Sequence, residues 1–517
     1  MKNTMGTVTI ATSEYEELKA KKAELEALVK YYEEQLRLAK HLQFGSSSEK
    51  NGFPEQLGLF DEAENTSELK ASELDLEEIT YKRRKRIGNR EDDFSSLPVE
   101  TIEYSLSESE QICSDCGSEL VFVRHEVRKE LKIVPATASV TLHKRDVYCC
   151  NSCQADDGAN FVKASAPAPV IQNSVASASA IAHIMVQKYV MCVPLYRQEQ
   201  AWLREGISLS RQTMANWVIK ASADWLEPLY YKLREHLLTH EVLHADETVC
   251  QVLKEPGKKA NTNSYMWLYR TSGDTVTPTV LFEYQPTRSS SHPKRFLDGW
   301  HGYLHADGYS GYHNLPPNIT VVGCLVHLRR KFEAALKILP ENERSDSREQ
   351  EAIHRIGKLF HLEDLWQNNS PFERQKLRLE QAKLLYDDFF IWLNSLRRIV
   401  PKSAMGKAIS YANDQKKWVD NFFLDGRLEL SNNRAENAIR PFVMGRKNWL
   451  FCNSQHGARA SSVIYSIIET AKANGLKPFD YLNFLFETLP NTTSSHLDRL
   501  LPWSAYLPDI CKTSSSS

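Results

Sequence analysis

The sequence of 517 residues has no apolar run long enough to cross a membrane, and it starts with neither the charged segment nor the apolar stretch of a secretory signal. We therefore expect no membrane span and a cytoplasmic, reducing location. There the ten cysteines are core residues, metal ligands or nucleophiles rather than disulfides. A strong net charge is also missing, because the formal total is −2. The total alone gives no sign of a nucleic-acid partner.

What is present is a clustering of charge. Basic residues gather in YKRRKR, HLRRK and RAENAIRPFVMGRK, and acidic residues gather in DEAENTSELKASELDLEE. Local basic patches remain compatible with a polyanionic partner even when the whole chain is nearly neutral. The hydrophobic fraction of 42% is that of a globular protein. The length predicts roughly two to four domains.

The chain before residue 174 divides into three segments. Residues 12–43 contain no proline and no glycine and predict one helix, either in a coiled coil or alone as an amphipathic helix. Its two heptad seam positions are filled by Tyr15, Lys22, Val29 and Leu36, and by Leu18, Leu25, Tyr32 and Ala39. Residues 51–95 are polar without periodicity, which predicts a flexible linker. Residues 97–163 are strand-like.

The rest of the chain predicts a helical segment followed by an α/β domain. Residues 174–240 have helical character. From residue 241 to residue 489, three strands, a helix and a further strand are followed by mixed elements, which is an α/β pattern. Within that domain, 341–425 is a charged helical insertion and 432–489 is helical again. The tail, 490–517, carries apolar residues and is expected to dock on the body.

The tetrapeptide LHAD occurs at 243–246 and again at 304–307, 61 residues later (307 − 246). Chance convergence of two apolar strands is one interpretation. In the other, neighbouring strands bring Asp246 and Asp307 together at one sheet edge. Two carboxylates so close repel each other unless a cation lies between them. Mg²⁺ suits such a site, and two ions about 3.5–4 Å apart serve in-line phosphoryl transfer.

A site of this type needs a third carboxylate, which spacing alone cannot select. Glu436 is a candidate on a short helix before Pro441. Helical periodicity predicts a polar face there, made of Asn433, Glu436, Asn437 and Arg440. The alternative is an acid that only complements the helix macrodipole. Glu429 is the next carboxylate to consider.

Two CxxC pairs predict a structural zinc site. The 33 residues between the pairs (117–149) fit tetrahedral thiolate coordination, and they are strand-like, which predicts a zinc-ribbon-like module. The predicted ligands are Cys113, Cys116, Cys150 and Cys153. Unligated thiols are the alternative, and Cys149 is a spare whose spacing does not match. Zinc is expected to fold the module rather than to do chemistry.

The segment REGISLSRQTMANWVIKA is similar to the second half of a helix-turn-helix. Gly206 makes the turn, and Ser210 caps the next helix. The exposed turns of that helix carry side chains suited to phosphates and base edges, namely Arg211, Gln212, Asn216 and Lys220. An ordinary helical hairpin whose Trp217 packs inward is the alternative.

Several long motifs resemble the insertion-sequence-66 family of bacterial transposases, in the same order. They are FGSSSEK, the CxxC pairs, KYVMCVPLYRQEQAWLREGISLSRQTMANWV, LHADET, YLHADGYSGYH, GCLVHLRRKF, NNRAENAIRPFVMGRKNWLF and LLPWSAYLP. The resemblance covers nearly the whole chain. It implies an α/β ribonuclease H-like catalytic domain with a helical insertion, preceded by the N-terminal helix, the zinc module and a helical helix-turn-helix domain. Asp246, Asp307 and Glu436 would be its acidic triad.

The resemblance extends to further residues. Such transposases carry a CxxH after the second aspartate, here Cys324 and His327, and we expect this pair to support the site rather than to bind a separate zinc ion. The alternative is a core cysteine with a histidine behind the ligands. DNA contacts are expected from Arg330, Arg434, Asn437, Arg440 and Lys447. Ser431 stands where many relatives have Asp, and it is expected to serve as a helix N-cap.

The implied activity is metal-dependent cutting of an element's ends and their joining to target DNA. Two Mg²⁺ ions would serve, with Mn²⁺ as a substitute, and no covalent protein–DNA intermediate would form. The implied partners are double-stranded DNA on the nucleoid, further copies of the chain, and two small accessory proteins encoded by the same element. Two other functions stay open: a catalytically inactive DNA-binding regulator, and a structure-specific nuclease.

Overall fold

The computed structural model describes residues 11–44, 101, 137–149, 161–492 and 494–513. The chain divides into two compact units, one of Met1–Gly45 with Pro167–Thr513 and one of Ser46–Ala166 with Ser514–Ser517. The predicted linker lies outside the described residues, and so do the predicted zinc ligands Cys113, Cys116, Cys150 and Cys153. Within the described part, no helix has both the length and the apolar character to cross a membrane.

The described residues of the smaller unit include a two-stranded antiparallel sheet. Strand β1, Val147–Cys149, pairs with β2, Phe161–Lys163. Beyond the last rung, the N–H of Ala164 donates to the carbonyl of Asp146 at 3.0 Å. These strands lie in the segment that the sequence predicts to be strand-like.

The larger unit begins with helix α1, Thr12–Phe44. Large apolar side chains are exposed along it, from 45% for Leu28 to 63% for Tyr32. The predicted heptad seam is therefore not buried by the described residues of this chain. The choice between a coiled coil and a single helix stays a prediction.

The segment 174–240, all of it described, contains four α-helices. Ser210 caps the third of them, because its side chain accepts the N–H of Thr213 at 3.1 Å, and Gly206 has a φ of 77° in the preceding turn. The helices are α2 Ala178–Tyr189, α3 Leu195–Arg204, α4 Arg211–Ala221 and α5 Glu227–Leu237, with a π-helical turn Ser222–Leu226 before α5.

A mixed sheet follows, with the strand order β5–β4–β3–β6–β7. Strand β4 lies between β3 and β5 and runs antiparallel to both, whereas β6 runs parallel to β3 and β7 parallel to β6. The bounds are β3 Val242–Lys254, β4 Asn263–Thr271, β5 Val280–Gln285, β6 Gly302–Ala306 and β7 Ile319–Gly323, with α6 Ser291–Phe296 before β6. Residues 242–245 of β3 are all buried because the strand is covered on both faces.

A helical layer follows β7 and forms a core of its own. Its helices are α7 Leu325–Ile338, α8 Glu341–Arg344, α9 Arg348–Leu365, α10 Pro371–Leu377, α11 Lys383–Ser395 and α12 Ala404–Val419. Several start with a serine cap, and Ser370 and Glu373 form a complete capping box. Phe332, Ile356 and Phe389 are fully buried in this cluster, which also covers Val242 and Val322 of the sheet. We call it the insertion core.

The chain then returns to the opposite face of the sheet. The elements are α13 Asn433–Trp449, β8 Cys452–Ser454, α14 Gln455–Ala473 and α15 Pro478–Thr488. They pack with the strands, with α2–α5 and with tail residues such as Leu500 and Leu507 into one cluster, which we call the sheet core. Strand β8, which pairs with the far end of β3, interrupts a segment predicted to be wholly helical.

The edge strand β5 is covered by α14. The N–H of Val280 donates to Thr470 Oγ1 at 3.0 Å, and the N–H of Phe282 donates to Ser466 Oγ at 2.7 Å. An edge strand otherwise presents unpaired N–H groups, so these hydroxyls satisfy donors that burial would leave without partners.

Candidate active site

The two LHAD tetrapeptides lie side by side in the sheet. Strands β3 and β6 are parallel neighbours, and the pairs across them are Val242 with Tyr303, Leu243 with Leu304, and His244 with His305. The offset in this register, 61 residues (303 − 242), equals the offset between the two sequence copies. The leucines and the histidines of the two copies therefore face each other across the strands. Asp246 lies two residues after His244 on β3, and Asp307 lies two residues after His305, directly beyond the end of β6, so strand alternation extended by one residue directs both side chains to the same face.

Each aspartate is anchored by a backbone donor. Asp246 Oδ1 accepts the N–H of Glu247 at 2.8 Å, and Asp307 Oδ1 accepts the N–H of Tyr309 at 2.9 Å. Burial raises the pKa of Asp246 well above its ordinary value, and the charges of Glu247, Asp307 and Glu436 raise it further. A divalent cation would offset this repulsion. The hard carboxylate oxygens therefore fit an ion such as Mg²⁺.

Beneath the aspartates lies a pair of stacked histidines, which the sequence reasoning did not single out. His244 and His305 are fully buried, and their rings stack at 4.4 Å with an angle of 14° between planes. Burial lowers the pKa of His244 to about 3 and that of His305 well below its ordinary value, so both rings are neutral. The signal was available, because the histidine of each LHAD lies on the same strand face as its aspartate.

Asn432 connects these strands to helix α13. Its Nδ2 donates to the carbonyl of Ala245 at 2.8 Å, which leaves Oδ1 to accept from His244 Nδ1 at 3.1 Å. The N–H of Asn432 also donates to Cys324 Sγ at 3.2 Å. Asn432 is fully buried, and it lies four residues before Glu436. One side chain thus ties the first LHAD strand to the start of the helix that carries Glu436.

Glu436 contacts helix α7 rather than the aspartates. Its Oε2 accepts from Arg330 Nη2 at 2.9 Å, and its Oε1 lies 3.7 Å from His327 Nδ1. Ligand atoms of Cys324, His327 and Glu436 lie within 4.8 Å of one another, whereas the three carboxylates do not form such a group among the described residues. The charge of Glu436 nevertheless acts on Asp246. The structure thus places Asp246 on β3 and Asp307 directly after the adjacent strand β6, while Glu436 is held by residues of α7.

Burial also shapes the protonation of the CxxH pair. It raises the pKa of Cys324 to about 11, against the opposing effect of backbone N–H groups of Asn432, His327 and Val326. It lowers the pKa of His327. The alternative carboxylate, Glu429, accepts from Arg434 Nε and lies 3.8 Å from His244 Nε2.

Two details of helix α13 differ from expectation. The N-cap position is Asn432, not Ser431, and Ser431 Oγ only accepts the N–H of Asn433 at 3.5 Å. The helix is also longer than predicted, because it runs through Pro441 to Trp449. Proline removes one backbone donor but is tolerated here because burial continues beyond it, with Phe442 and Gly445 inside the core.

A second unpredicted network borders the site. The side chain of Glu247, only 1% exposed, accepts from Arg288 Nε at 2.8 Å and from the Tyr312 hydroxyl at 2.6 Å. Arg288 also covers the ring of Tyr309, at 3.8 Å from the ring centre. The N–H of Tyr309 holds Asp307, so this network links the residue after Asp246 to the second aspartate. Its only sequence signal was an acid directly after Asp246.

The predicted DNA-contacting side chains lie on three helices, α4, α7 and α13. Arg211, Gln212, Asn216 and Lys220 are all exposed on α4, while Trp217 packs inward, so the packing of both sequence alternatives is present. Lys220 forms an ion pair with Asp224 at 2.9 Å. Asn437 and Lys447 are exposed on α13, and Arg434 and Arg440 are half-buried on the same helix. Arg330 on α7 is bound to Glu436.

Comparison of the sequence with models of known protein families identifies the family of this chain. The model described as Transposase IS66 family matches residues 173–460, more than half of the chain. The chain belongs to the IS66 family of transposases. Further models match the IS66 C-terminal element at 466–503, the zinc-finger binding domain of transposase IS66 at 110–154, and Transposase C of IS166 homeodomain at 31–102.

Two similar proteins come from Sinorhizobium fredii (strain NBRC 101917 / NGR234). Uncharacterized protein y4qI is 32% identical over 415 residues, which is 77% of this chain and 75% of the relative. Uncharacterized protein y4hP is 30% identical over 411 residues, which is 76% and 73% of the two chains. The resemblance to insertion-sequence-66 transposases is thereby confirmed.

Membership in the IS66 family bears on both predicted metal sites. The catalytic-family match contains β3, β6 and α13, and with them Asp246, Asp307 and Glu436. It implies the use of a divalent metal ion. The zinc-finger match spans all four predicted thiolate ligands. The identity of the ligands at each site stays a prediction.

Proposed function

We propose that this IS66 transposase cleaves DNA at the ends of its insertion element and joins them to target DNA on a ribonuclease H-like sheet. Three antiparallel strands, followed by two strands parallel to the first, support that fold. The observation that carries the proposal is the register of β3 and β6, which sets the two LHAD copies opposite each other. Such a register delivers one carboxylate on β3 and one directly after β6 to the same end of the sheet.

Asp246, Asp307 and Glu436 would hold the metal ions. Bound Mg²⁺ supplies Lewis acidity for phosphoryl transfer and neutralises charge on the attacking and leaving oxygens. Asp246 and Asp307 are held by backbone donors, so they offer fixed ligands. Glu436 would join them after its carboxylate leaves Arg330, which then becomes free for a phosphate. Without an ion of their own, Cys324 and His327 would support this step, because they lie beside Glu436.

Several basic and amide side chains would hold the DNA. Helix α4 presents Arg211, Gln212, Asn216 and Lys220 on an exposed face that suits a groove and its phosphates. Arg330 contacts Glu436, and Arg434, Asn437, Arg440 and Lys447 lie on the helix that carries Glu436; these side chains would position the backbone that is cut. The zinc module would fold around Zn²⁺ held by Cys113, Cys116, Cys150 and Cys153.

The proposed reaction takes place in the cytoplasm, on DNA of the nucleoid. Two element ends must be cut and joined to target DNA at the same time, so a homo-oligomer that holds both ends is the expected active form. The two accessory proteins of the element would assist it. The exposed seam of α1 offers one surface on which copies of the chain could pair.

The test is a cleavage assay on labelled DNA that carries the element's own ends. Wild type is compared with Glu436→Gln in Mg²⁺, in Mn²⁺ and in EDTA, with and without the accessory proteins. We expect nicking at the element end that needs the metal ion and is lost in the variant. Glu429→Gln, at the alternative carboxylate on the same segment, is measured beside it.

Each outcome separates the candidate functions. Equal nicking by wild type and Glu436→Gln would assign the third ligand elsewhere, with Glu429 first in line. Cutting without regard to element ends, and without strand joining, would indicate a nuclease. Binding of the ends without any nicking would indicate a regulator. Trapping of DNA linked covalently to a tyrosine or serine would contradict the proposed reaction.

A further inference from the structure

Three kinds of metal-binding atom meet between helices α7 and α13. The Sγ atom of Cys324, a ring nitrogen of His327 and a carboxylate oxygen of Glu436 lie within 4.8 Å of one another. Among the described residues, this is the one group of three or more Cys, His, Asp or Glu side chains with that spacing. Cys324 directly precedes α7, and His327 and Glu436 lie in the first turns of α7 and α13. Helix ends therefore fix all three positions.

The polar atoms that face one another here lack hydrogen-bond partners among the described residues. His327 Nδ1 and Glu436 Oε1 are 3.7 Å apart, and both are buried atoms without a hydrogen bond. Such atoms cost free energy unless something satisfies them. A cation with bonds of about 2.0–2.3 Å holds its ligands roughly 3.3–3.6 Å apart in a tetrahedron, so a small closing movement would complete the contact.

The ligand types select the class of ion. Thiolate and imidazole favour a borderline-soft ion such as Zn²⁺ over Mg²⁺, which prefers oxygen ligands alone. The sulfur already accepts the N–H of Asn432 at 3.2 Å, the type of second contact that orients metal ligands. Binding would displace the thiol proton to solvent.

We propose that Cys324, His327 and Glu436 bind a soft divalent cation such as Zn²⁺, and that the bound ion inhibits the transposase by keeping Glu436 from the aspartates. The inhibition rests on the proposed function, whereas the binding does not. Glu436 Oε2 is bound by Arg330 and Oε1 faces His327, so an ion here engages the oxygen that remains. Asp246 and Asp307 would then lack their third partner.

Zinc content of the full-length chain is the first measurement. We expect two zinc ions per chain in wild type, one of them in the CxxC module, and one in Cys324→Ala and in His327→Ala. Loss of a ligand should weaken zinc binding by at least about 100-fold, since loss of an outer contact alone typically costs 10–100-fold. Cys511→Ala removes another fully buried cysteine and should keep two ions. Because the His327 side chain is 26% exposed, its variant guards against misfolding at Cys324.

The second measurement is the affinity of the carboxylates for Mn²⁺, with and without zinc. The electron paramagnetic resonance signal of free Mn²⁺ reports how much of the ion is bound. Zinc should weaken Mn²⁺ binding in wild type but not in Cys324→Ala. Asp246→Asn should lose Mn²⁺ binding yet keep both zinc ions, which separates the two sites. Cleavage is measured in parallel. For each variant, the rate with zinc is compared with the rate of the same variant without zinc.

The outcomes divide cleanly. Equal zinc content in wild type, Cys324→Ala and His327→Ala overturns the site. Two ions that leave Mn²⁺ binding unaffected, or an equal effect of zinc in wild type and Cys324→Ala, overturns the inhibition. Absence of any cleavage, together with the expected zinc and Mn²⁺ results, would count against the proposed function and still support the site.

Discussion

The sheet core and the insertion core meet at the carboxylates, but they are stabilised differently. In the sheet core, apolar side chains pack with hydroxyls such as Ser466, which satisfies the edge strand. The insertion core contains a buried cation, Arg378, which is 1% exposed. Its Nε and Nη2 donate to Glu363 at 2.8 and 2.6 Å, and its Nη1 and Nη2 donate to the carbonyls of Asp425 and Leu428 at 2.9 and 2.8 Å.

The difference shows how the two sides of the site are positioned. Asp246 and Asp307 are placed by strand register, which backbone hydrogen bonds hold. Glu436 is placed by side chains of α7, and the loop that leads to it is fixed by Arg378. Changes in the insertion core should therefore disturb the third carboxylate and spare the first two.

Loss of a strand carboxylate should have the largest effect. Asp307→Asn keeps the size of the side chain and removes its charge, so the metal ions lose a ligand that no neighbour replaces. A bound metal ion contributes several kcal/mol to transition-state stabilisation, so we expect nicking to fall at least about a thousandfold. The measurement is single-turnover cleavage of labelled element ends. Asp298→Asn, at an exposed position nearby, is the control. A loss under about tenfold would contradict the ligand assignment.

Removal of the buried cation should have the next effect, on stability. Arg378→Met leaves Glu363 and two carbonyls without their donor, and breaking a buried pair costs about 3–5 kcal/mol. Arg355→Met is the matched control, because Arg355 pairs with Asp388, whose side chain is 65% exposed, and such pairs contribute less than about 1 kcal/mol. Unfolding in urea gives both values.

Amide hydrogen exchange would compare the two sides of the site directly. In Arg378→Met we expect faster exchange of the segment 425–436 and unchanged exchange of 242–246. Equal acceleration of both segments would mean that the two cores are not separable supports of the site.

Asn432 tests the connection between the cores. Asn432→Ala leaves His244 Nδ1 and the carbonyl of Ala245 without partners, and each buried group left unsatisfied costs about 1–3 kcal/mol. We expect a total loss of about 2–4 kcal/mol in the free energy of unfolding. The exposed neighbour Asn433→Ala should change it by less than about 0.5 kcal/mol. Similar values for the two variants would refute the connecting role of Asn432.

The sequence predicted the strand side of the site better than the helix side. The repeated LHAD carries its own register, so one carboxylate on β3 and one directly after the neighbouring β6 follow from local sequence. Asn432 and His244 are 188 residues apart, and their hydrogen bond depends on the folded insertion between them. The sequence also suggested a helix that stops before Pro441. The free-energy cost of a proline inside a helix can be read from the sequence, whereas the tertiary packing that offsets it cannot. In the sequence, Arg378 is one of many charged residues in a polar helix. Only its burial in the folded chain distinguishes it from the others.

The last prediction, with the smallest expected effect, concerns Glu283 on β5. The sheet core leaves this acid poorly paired. Its Oε2 has no hydrogen-bond partner among the described residues, and Arg295 is 3.9 Å away from its other oxygen. Burial raises the pKa of Glu283 to about 7, although a hydrogen bond with Gln285 and nearby arginines oppose this. A raised folded-state pKa stabilises the protein below the unfolded-state value of 4.5, and this contribution is lost as the pH rises through 7.

Glu283→Gln should therefore match wild type near pH 4.5 and exceed its free energy of unfolding by about 1–3 kcal/mol at pH 8, since one pKa unit corresponds to about 1.4 kcal/mol. Urea unfolding across this pH range measures the difference. Glu235→Gln, whose side chain is 66% exposed, should follow wild type at every pH. A variant that is less stable than wild type at pH 8, with a difference that vanishes toward acid, would mean that Glu283 is stabilised as a carboxylate. The sheet core would then pair its buried charge as fully as the insertion core pairs Arg378.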